Sequence, residues 1–230
     1  YSEKPFEDRE ARPGEFLLKS LAFHCAPTIR NWMSPPGSAY PTIDLGAPIR
    51  GPVASRVVKS GNDDFPVGTI LTHSGLWQDY RWMGASSVSA TTIKCPPETD
   101  APTAIAMYGG NALAAYFGIM KICAPVEGET LVVSAAAGST GSIAAQIGRN
   151  LGAKVIGIAG GAEKCASLVR DYGLRGAIDY RNEDVASRLR ELAPAGVHAY
   201  FDNVGGPILD AVIANAADRA RIALCGQIAG

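Results

Sequence analysis

The sequence predicts an α/β protein in two parts: a partly open antiparallel β-barrel over residues 1–100, then a doubly wound parallel sheet over residues 101–230. Three observations predict it. The first hundred residues carry β-rich runs separated by proline and glycine turns. Beyond Glu129, apolar strand runs and helical stretches alternate, which implies parallel strands with right-handed crossovers. Between Leu131 and Lys164 a buried strand enters a small-residue turn and leaves it as a helix.

In the first part the expected strands are Glu15–Phe23, Val53–Lys59, Gly68–Thr72 and Leu76–Met83. Turns such as Ser34-Pro35-Pro36-Gly37 and Ser60-Gly61-Asn62-Asp63 separate them. Gln78–Trp82 is polar and aromatic by turns, which suits an antiparallel barrel better than a parallel sheet. The composition changes near Pro96-Pro97, and from Ala101 an alanine-rich stretch reads as helix through Ile122.

In the second part strand runs fall at 131–135, 154–159, 177–180, 199–203 and 221–225. Helical stretches at 140–151, 162–172, 183–193 and 206–217 fill the gaps. A full two-half fold of this kind has six strands. Five are present before Gly230, so the sheet is expected to be truncated at its C-terminal end and the chain to be a fragment.

The turn after the first of these strands carries chemistry. It reads Ala136-Ala137-Gly138-Ser139-Thr140-Gly141, a G-x-G-x-x-G pattern with Ala136 at its first position. Alanine fits there if its φ stays negative. Small residues let the backbone touch a pyrophosphate, and the helix behind them offers unpaired amides and a positive dipole end. The end of the second strand selects the dinucleotide. An NAD site places an Asp or Glu there for the ribose 2′-hydroxyl. This chain has Ala159, Gly160 and Gly161, with no acid before Glu163, and then Lys164. A missing carboxylate beside an ammonium suits a 2′-phosphate, so the reading is NADP(H); a solvated surface lysine is the plainer alternative. Ligands of such sheets sit at the carboxyl ends of the strands, which brings in Asp202-Asn203-Val204-Gly205-Gly206 and Cys225-Gly226-Gln227. Asn203 reads equally as an amide facing a nicotinamide or as a helix cap.

Composition narrows the classes. With 47% hydrophobic and 19% charged residues and a net charge of −1, the chain has no basic stripe for nucleic acid and no electrostatic pull toward an anionic membrane. No apolar run approaches the roughly 20 residues of a membrane helix, and the opening YSEKPFEDRE lacks a signal-peptide core. The expected location is cytoplasmic. The five cysteines, at 25, 95, 123, 165 and 225, form no C-x-x-C pair and read as reduced, mostly buried thiols. With the histidines scattered at 24, 73 and 198, no metal site is expected; adjacent His24 and Cys25 would point to opposite strand faces.

In combination, Ala115-Tyr116-Phe117-Gly118, Gly128-Glu129-Thr130, Val133–Gly138, Tyr200–Gly206 and Arg221–Gly226 resemble the medium-chain dehydrogenase/reductase superfamily. Within it they resemble the zinc-free NADP-dependent alkenal/one double-bond reductases, among them the prostaglandin and curcumin reductases. The resemblance covers nearly the whole chain. It implies a GroES-like substrate domain over 1–100 and a Rossmann domain over 101–230. It implies that Ala137, Gly138, Ser139, Thr140 and Gly141 form the turn that holds the cofactor phosphates. It places Lys164 and Tyr180 on the adenosine 2′-phosphate, Asn203 near the cofactor, and Cys225, Gly226, Gln227 and Ile228 along it. The metal-ligating Gly-His-Glu of zinc relatives is replaced by Gly46-Ala47-Pro48-Ile49-Arg50-Gly51. The Asp-Pro-Tyr-Met-Arg usual in the family is replaced by Ala26-Pro27-Thr28-Ile29-Arg30.

The implied reaction is metal-free conjugate reduction: hydride goes to the β-carbon of an enal or enone, and hydrogen-bond donors hold the enolate oxygen. Tyr40 matches a cleft tyrosine of some relatives and is the candidate donor, against the plainer reading of a surface-loop tyrosine. The implied partner is a small-molecule enal or enone, and family analogy suggests a homodimer. Two other readings stand beside this one. A quinone oxidoreductase of the same superfamily would share every cofactor residue. A non-catalytic NADP-binding redox sensor or structural protein is the alternative of another class.

Overall fold

The computed structural model describes residues 6–34 and 42–228. The chain divides into two compact units, residues 1–109 and 110–230. No helix among the described residues is long and apolar enough to cross a membrane.

In the first unit, strands β1 (Glu15–Phe23), β2 (Arg50–Ser60), β3 (Ile70–Leu76), β4 (Tyr80–Gly84) and β5 (Ile93–Lys94) form an antiparallel sheet in the order β4-β1-β2-β3-β5. The sheet is open, since β4 and β5 are its edges. Phe16, Leu18, Val57, Leu71 and Met83 pack one side, and Phe65 stacks on Phe16 with centroids 4.5 Å apart. The run expected as one strand from Leu76 to Met83 is divided. Gln78 turns its amide onto the Leu76 carbonyl, and β4 starts at Tyr80. His24 and Cys25 lie just past the end of β1.

Two α-helices lie among the described residues of this unit. Helix α1 (Pro27–Trp32) opens on a proline and buries Ile29. Helix α2 (Ala101–Met107) is capped by Asp100, whose carboxylate accepts the Thr103 amide at 2.7 Å. The alanine-rich stretch expected to be helical from Ala101 through Ile122 is helical over most of that length but interrupted once. The Thr72 hydroxyl donates to the Tyr108 carbonyl at 2.7 Å, and the chain bends at Tyr108-Gly109.

The second unit begins with α3 (Gly110–Phe117) and a π-helical turn over Gly118–Cys123. Gly118 is needed there, because a β-carbon would overlap the Phe201 ring. Strands β6 (Thr130–Ser134), β7 (Lys154–Ala159), β8 (Gly176–Asp179), β9 (Val197–Asp202) and β10 (Ala216–Leu224) form a parallel sheet in the order β10-β9-β6-β7-β8. Helices α4 (Ser139–Asn150) and α5 (Ala162–Arg170) bury Ala144, Ala145 and Leu168 with Val133 and Phe201. Helices α6 (Val185–Leu192) and α7 (Gly206–Ile213) bury Leu189 and Val212 with Ile156, Ile158, Ile178 and Tyr200. This is the expected doubly wound sheet, with its switch point between β6 and β9.

Two expectations are corrected. The helix read as 206–217 ends at Ile213, and β10 already starts at Ala216, paired with Val197. Alanine propensity yields there to sheet pairing. The five cysteines are all free thiols, but only Cys123 is buried, while Cys25 and Cys225 are exposed.

Candidate functional site

The carboxyl ends of the five parallel strands each contribute to one rim. At the end of β6 the chain bends at Ala135, which is left-handed with φ 47°. Ala136 keeps a negative φ, as its place in the motif requires, and donates its amide to the Ile158 carbonyl at 3.0 Å. Gly138 donates to the Ala135 carbonyl at 2.9 Å and serves as the N-cap of α4 without a capping side chain. The first-turn amides of α4 are therefore left for an anion. Gly141 lets the helix lie against the turn, since a β-carbon would run into the Ala135 carbonyl. Ser139 is held by Asn111, whose side-chain amide reaches its hydroxyl at 2.9 Å.

At the end of β7, Gly160 and Gly161 carry no side chain into the rim, and Gly161 has φ 105°. The Gly161 amide donates to Asp179, at the end of β8, at 2.8 Å. Asp179 also accepts from the Arg181 amide at 3.1 Å and from the Asn182 side chain at 2.7 Å. The Gly161 amide foremost, with Asn182 next, holds the Asp179 carboxyl below the usual carboxylate range. Lys164 stands exposed in the first turn of α5, and Tyr180, 46% exposed, follows Asp179.

The end of β9 is built around buried Asp202. Its Oδ1 accepts from the Tyr200 hydroxyl at 2.7 Å, the Ser134 hydroxyl at 3.0 Å, and the amides of Val204 and Gly205 at 2.9 and 3.0 Å. Its Oδ2 is buried without a partner among the described residues. Burial pushes the Tyr200 hydroxyl well above its ordinary range. Asn203 spends its side-chain amine on the Ser134 carbonyl at 2.7 Å, tying β9 to β6. At the end of β10 the amides of Cys225 and Gly226 donate to the Asp202 carbonyl at 2.8 and 3.0 Å. Gly226 passes so close to Asn203 that a β-carbon would stand 2.8 Å from its carbonyl oxygen.

These ends enclose a cavity of about 720 Å³, within the usual range for a cofactor site. Ala137, Gly138, Lys164, Tyr180 and Ile228 of the sequence-derived set line it. Ser139, Thr140, Gly141, Asn203, Cys225, Gly226 and Gln227 do not line it, although they belong to the same turns and strand ends. Tyr40 lies outside the described residues. Pro207, Ile208 and Ala211 of α7 and Val185 and Ala186 of α6 add an apolar wall that the sequence reading did not single out. Their only sequence signal is proximity to strand ends. Asp179 and Arg181 were also missed, because their roles depend on a turn that folds back over β7. The open helix end, the glycine gaps and the cations of this rim fit a phosphorylated dinucleotide.

Two family descriptions match the chain: "N-terminal domain of oxidoreductase" over residues 6–91 and "zinc-binding dehydrogenase" over residues 139–230. The chain is 37% identical over 226 residues to the NADPH-dependent curcumin reductase of Escherichia coli, covering 96% of this chain and 64% of that protein. It is 34% identical over 219 residues to the NADP(+)-dependent 2-alkenal reductase of Nicotiana tabacum, covering 93% of this chain and 62% of that protein. The crystal structure of CurA from Vibrio vulnificus in complex with NADPH superposes with a TM-score of 0.85 at 33% identity, covering 97% of this chain and 66% of that one. The chain thus spans less than two thirds of the length of these relatives.

Proposed function

The chain belongs to the medium-chain dehydrogenase/reductase superfamily, in the branch of the alkenal and enone reductases, and from that membership we propose that it serves NADPH-dependent reduction of the carbon–carbon double bond of α,β-unsaturated aldehydes and ketones. The observation that carries the reading is the strand-end cavity, where an uncapped helix N-terminus and a lysine border glycine-lined space. The bound dinucleotide would supply the hydride. The residues of this chain bind and orient it. The α4 amides and the turn Ala137–Gly141 would hold the pyrophosphate, and Lys164 with Tyr180 would hold the adenosine 2′-phosphate. The Asp202 network fixes the turn at Asn203–Gly205, so that this wall keeps its shape when a ligand enters. A small-molecule substrate and a reaction without a catalytic metal complete the proposal.

The test uses NADPH deuterated at the transferred position, offered with small enals, enones, quinones and simple aldehydes. Deuterium at the β-carbon of a saturated product is expected. Turnover of quinones alone, or tight NADPH binding with no turnover of anything, would overturn it.

A further inference from the structure

Resting on that cofactor reading, we propose that Arg181 is a specificity-determining residue, a second cation that grips the phosphomonoester on the adenosine ribose beside Lys164. Residues in succession after a strand ordinarily diverge. Here the turn held by Asp179 brings two successive side chains onto one glycine. An ideal β-carbon on Gly160 would stand 2.9 Å from the Tyr180 ring and 2.9 Å from Arg181 Nε. Gly160 lines the cavity, as do Tyr180 and Lys164. Arg181 is not itself a lining residue, but its Nε lies against Gly160, which is, at the end of β7 where the ribose of a dinucleotide is held in such sheets.

The pairing pattern of this corner points the same way. Three of its carboxylates already hold donors of the chain, while Glu163, next to Lys164, is exposed. Asp179 takes three donors, Glu183 accepts the Asp179 amide at 2.7 Å and pairs with Arg188, and Asp184 caps α6 through the Ser187 amide at 2.8 Å. Lys164 and Arg181, by contrast, form no salt bridge among the described residues. Two cations with no salt-bridge partner among the described residues thus remain available to a dianion. A guanidinium presents a planar pair of donors to two phosphate oxygens, whereas an ammonium offers a point charge.

The experiment titrates NADPH and NADH onto the full chain by nicotinamide fluorescence, for wild type, R181Q and R181K. Wild type is expected to prefer NADPH. R181Q is expected to weaken NADPH by about tenfold or more and leave NADH within about twofold, and R181K to restore part of the loss. Arg181 is exposed, so neither variant removes core packing. Equal losses for both cofactors, or none for either, would overturn the inference while leaving the cofactor reading intact. A wild type without preference would overturn the cofactor reading and the inference with it.

Discussion

Lys164, on a helix, and Asp179, at the end of a strand, approach the same glycine turn, and they do opposite things with their charge. The Asp179 carboxylate holds three donors of its own chain, so it is committed to the turn and not to a ribose hydroxyl. The lysine forms no salt bridge among the described residues. A charge-assisted hydrogen bond contributes about 1.5–3 kcal/mol, so Lys164→Ala should weaken NADPH about tenfold to a hundredfold and barely change NADH. Paired titrations check this, and equal loss for both would place Lys164 on the part the cofactors share. That Lys164 and Tyr180 would border the strand-end cavity was legible, Lys164 from the end of the second strand and Tyr180 from the family resemblance. The use of the Asn203 side chain was not, because its partner Ser134 lies 69 residues away. Nothing local announces which residue its amide will meet.

At the scale of elements, the strand–turn–helix unit works because its bend and its close approach are separate. The bend falls on Ala135, one residue before the motif's first position, and left-handed backbone costs an alanine about 1 kcal/mol. The close approach falls on Gly141, which the motif did mark. Gly141→Ala would set a β-carbon against backbone that cannot move without dragging α4 off β6. The expected result is a loss of about 1–3 kcal/mol, seen as a fall of several degrees in Tm, together with weaker NADPH binding. Gly110→Ala, where nothing lies within 4 Å, should leave Tm nearly unchanged and is the control. A fall in Tm no larger than that of the control would show that α4 and the turn can separate without cost. The extents of elements were less legible than their kinds. Alanine carried the reading of α7 into β10, and a side chain from β3 ended α2, because each boundary is set by a partner distant in sequence.

For the whole molecule, the two-part architecture was legible from rhythm alone: proline-punctuated strands first, strand–helix alternation after. Neither unit gathers three or more His, Cys, Asp or Glu side chains into a metal-binding group among the described residues. His198, within the segment matched by the zinc-binding description, accepts the Thr130 amide through Nδ1 at 3.2 Å, a structural use. Purified protein should therefore contain no stoichiometric zinc, and chelators should leave its turnover unchanged; one tightly held zinc per chain would refute this. The strand order has a further consequence, in time. β6 comes first in the sheet's sequence and lies at its middle, with β7 and β8 on one side and β9 and β10 on the other. On a growing chain, β6, β7 and β8 are complete by Asp179, while the far edge of β6 stays unpaired until residues 197–202 emerge. That edge belongs to a strand buried along its whole length. The nascent protein thus carries an unpaired edge on a strand with apolar side chains through the synthesis of α6, a period in which a holding chaperone has something to hold.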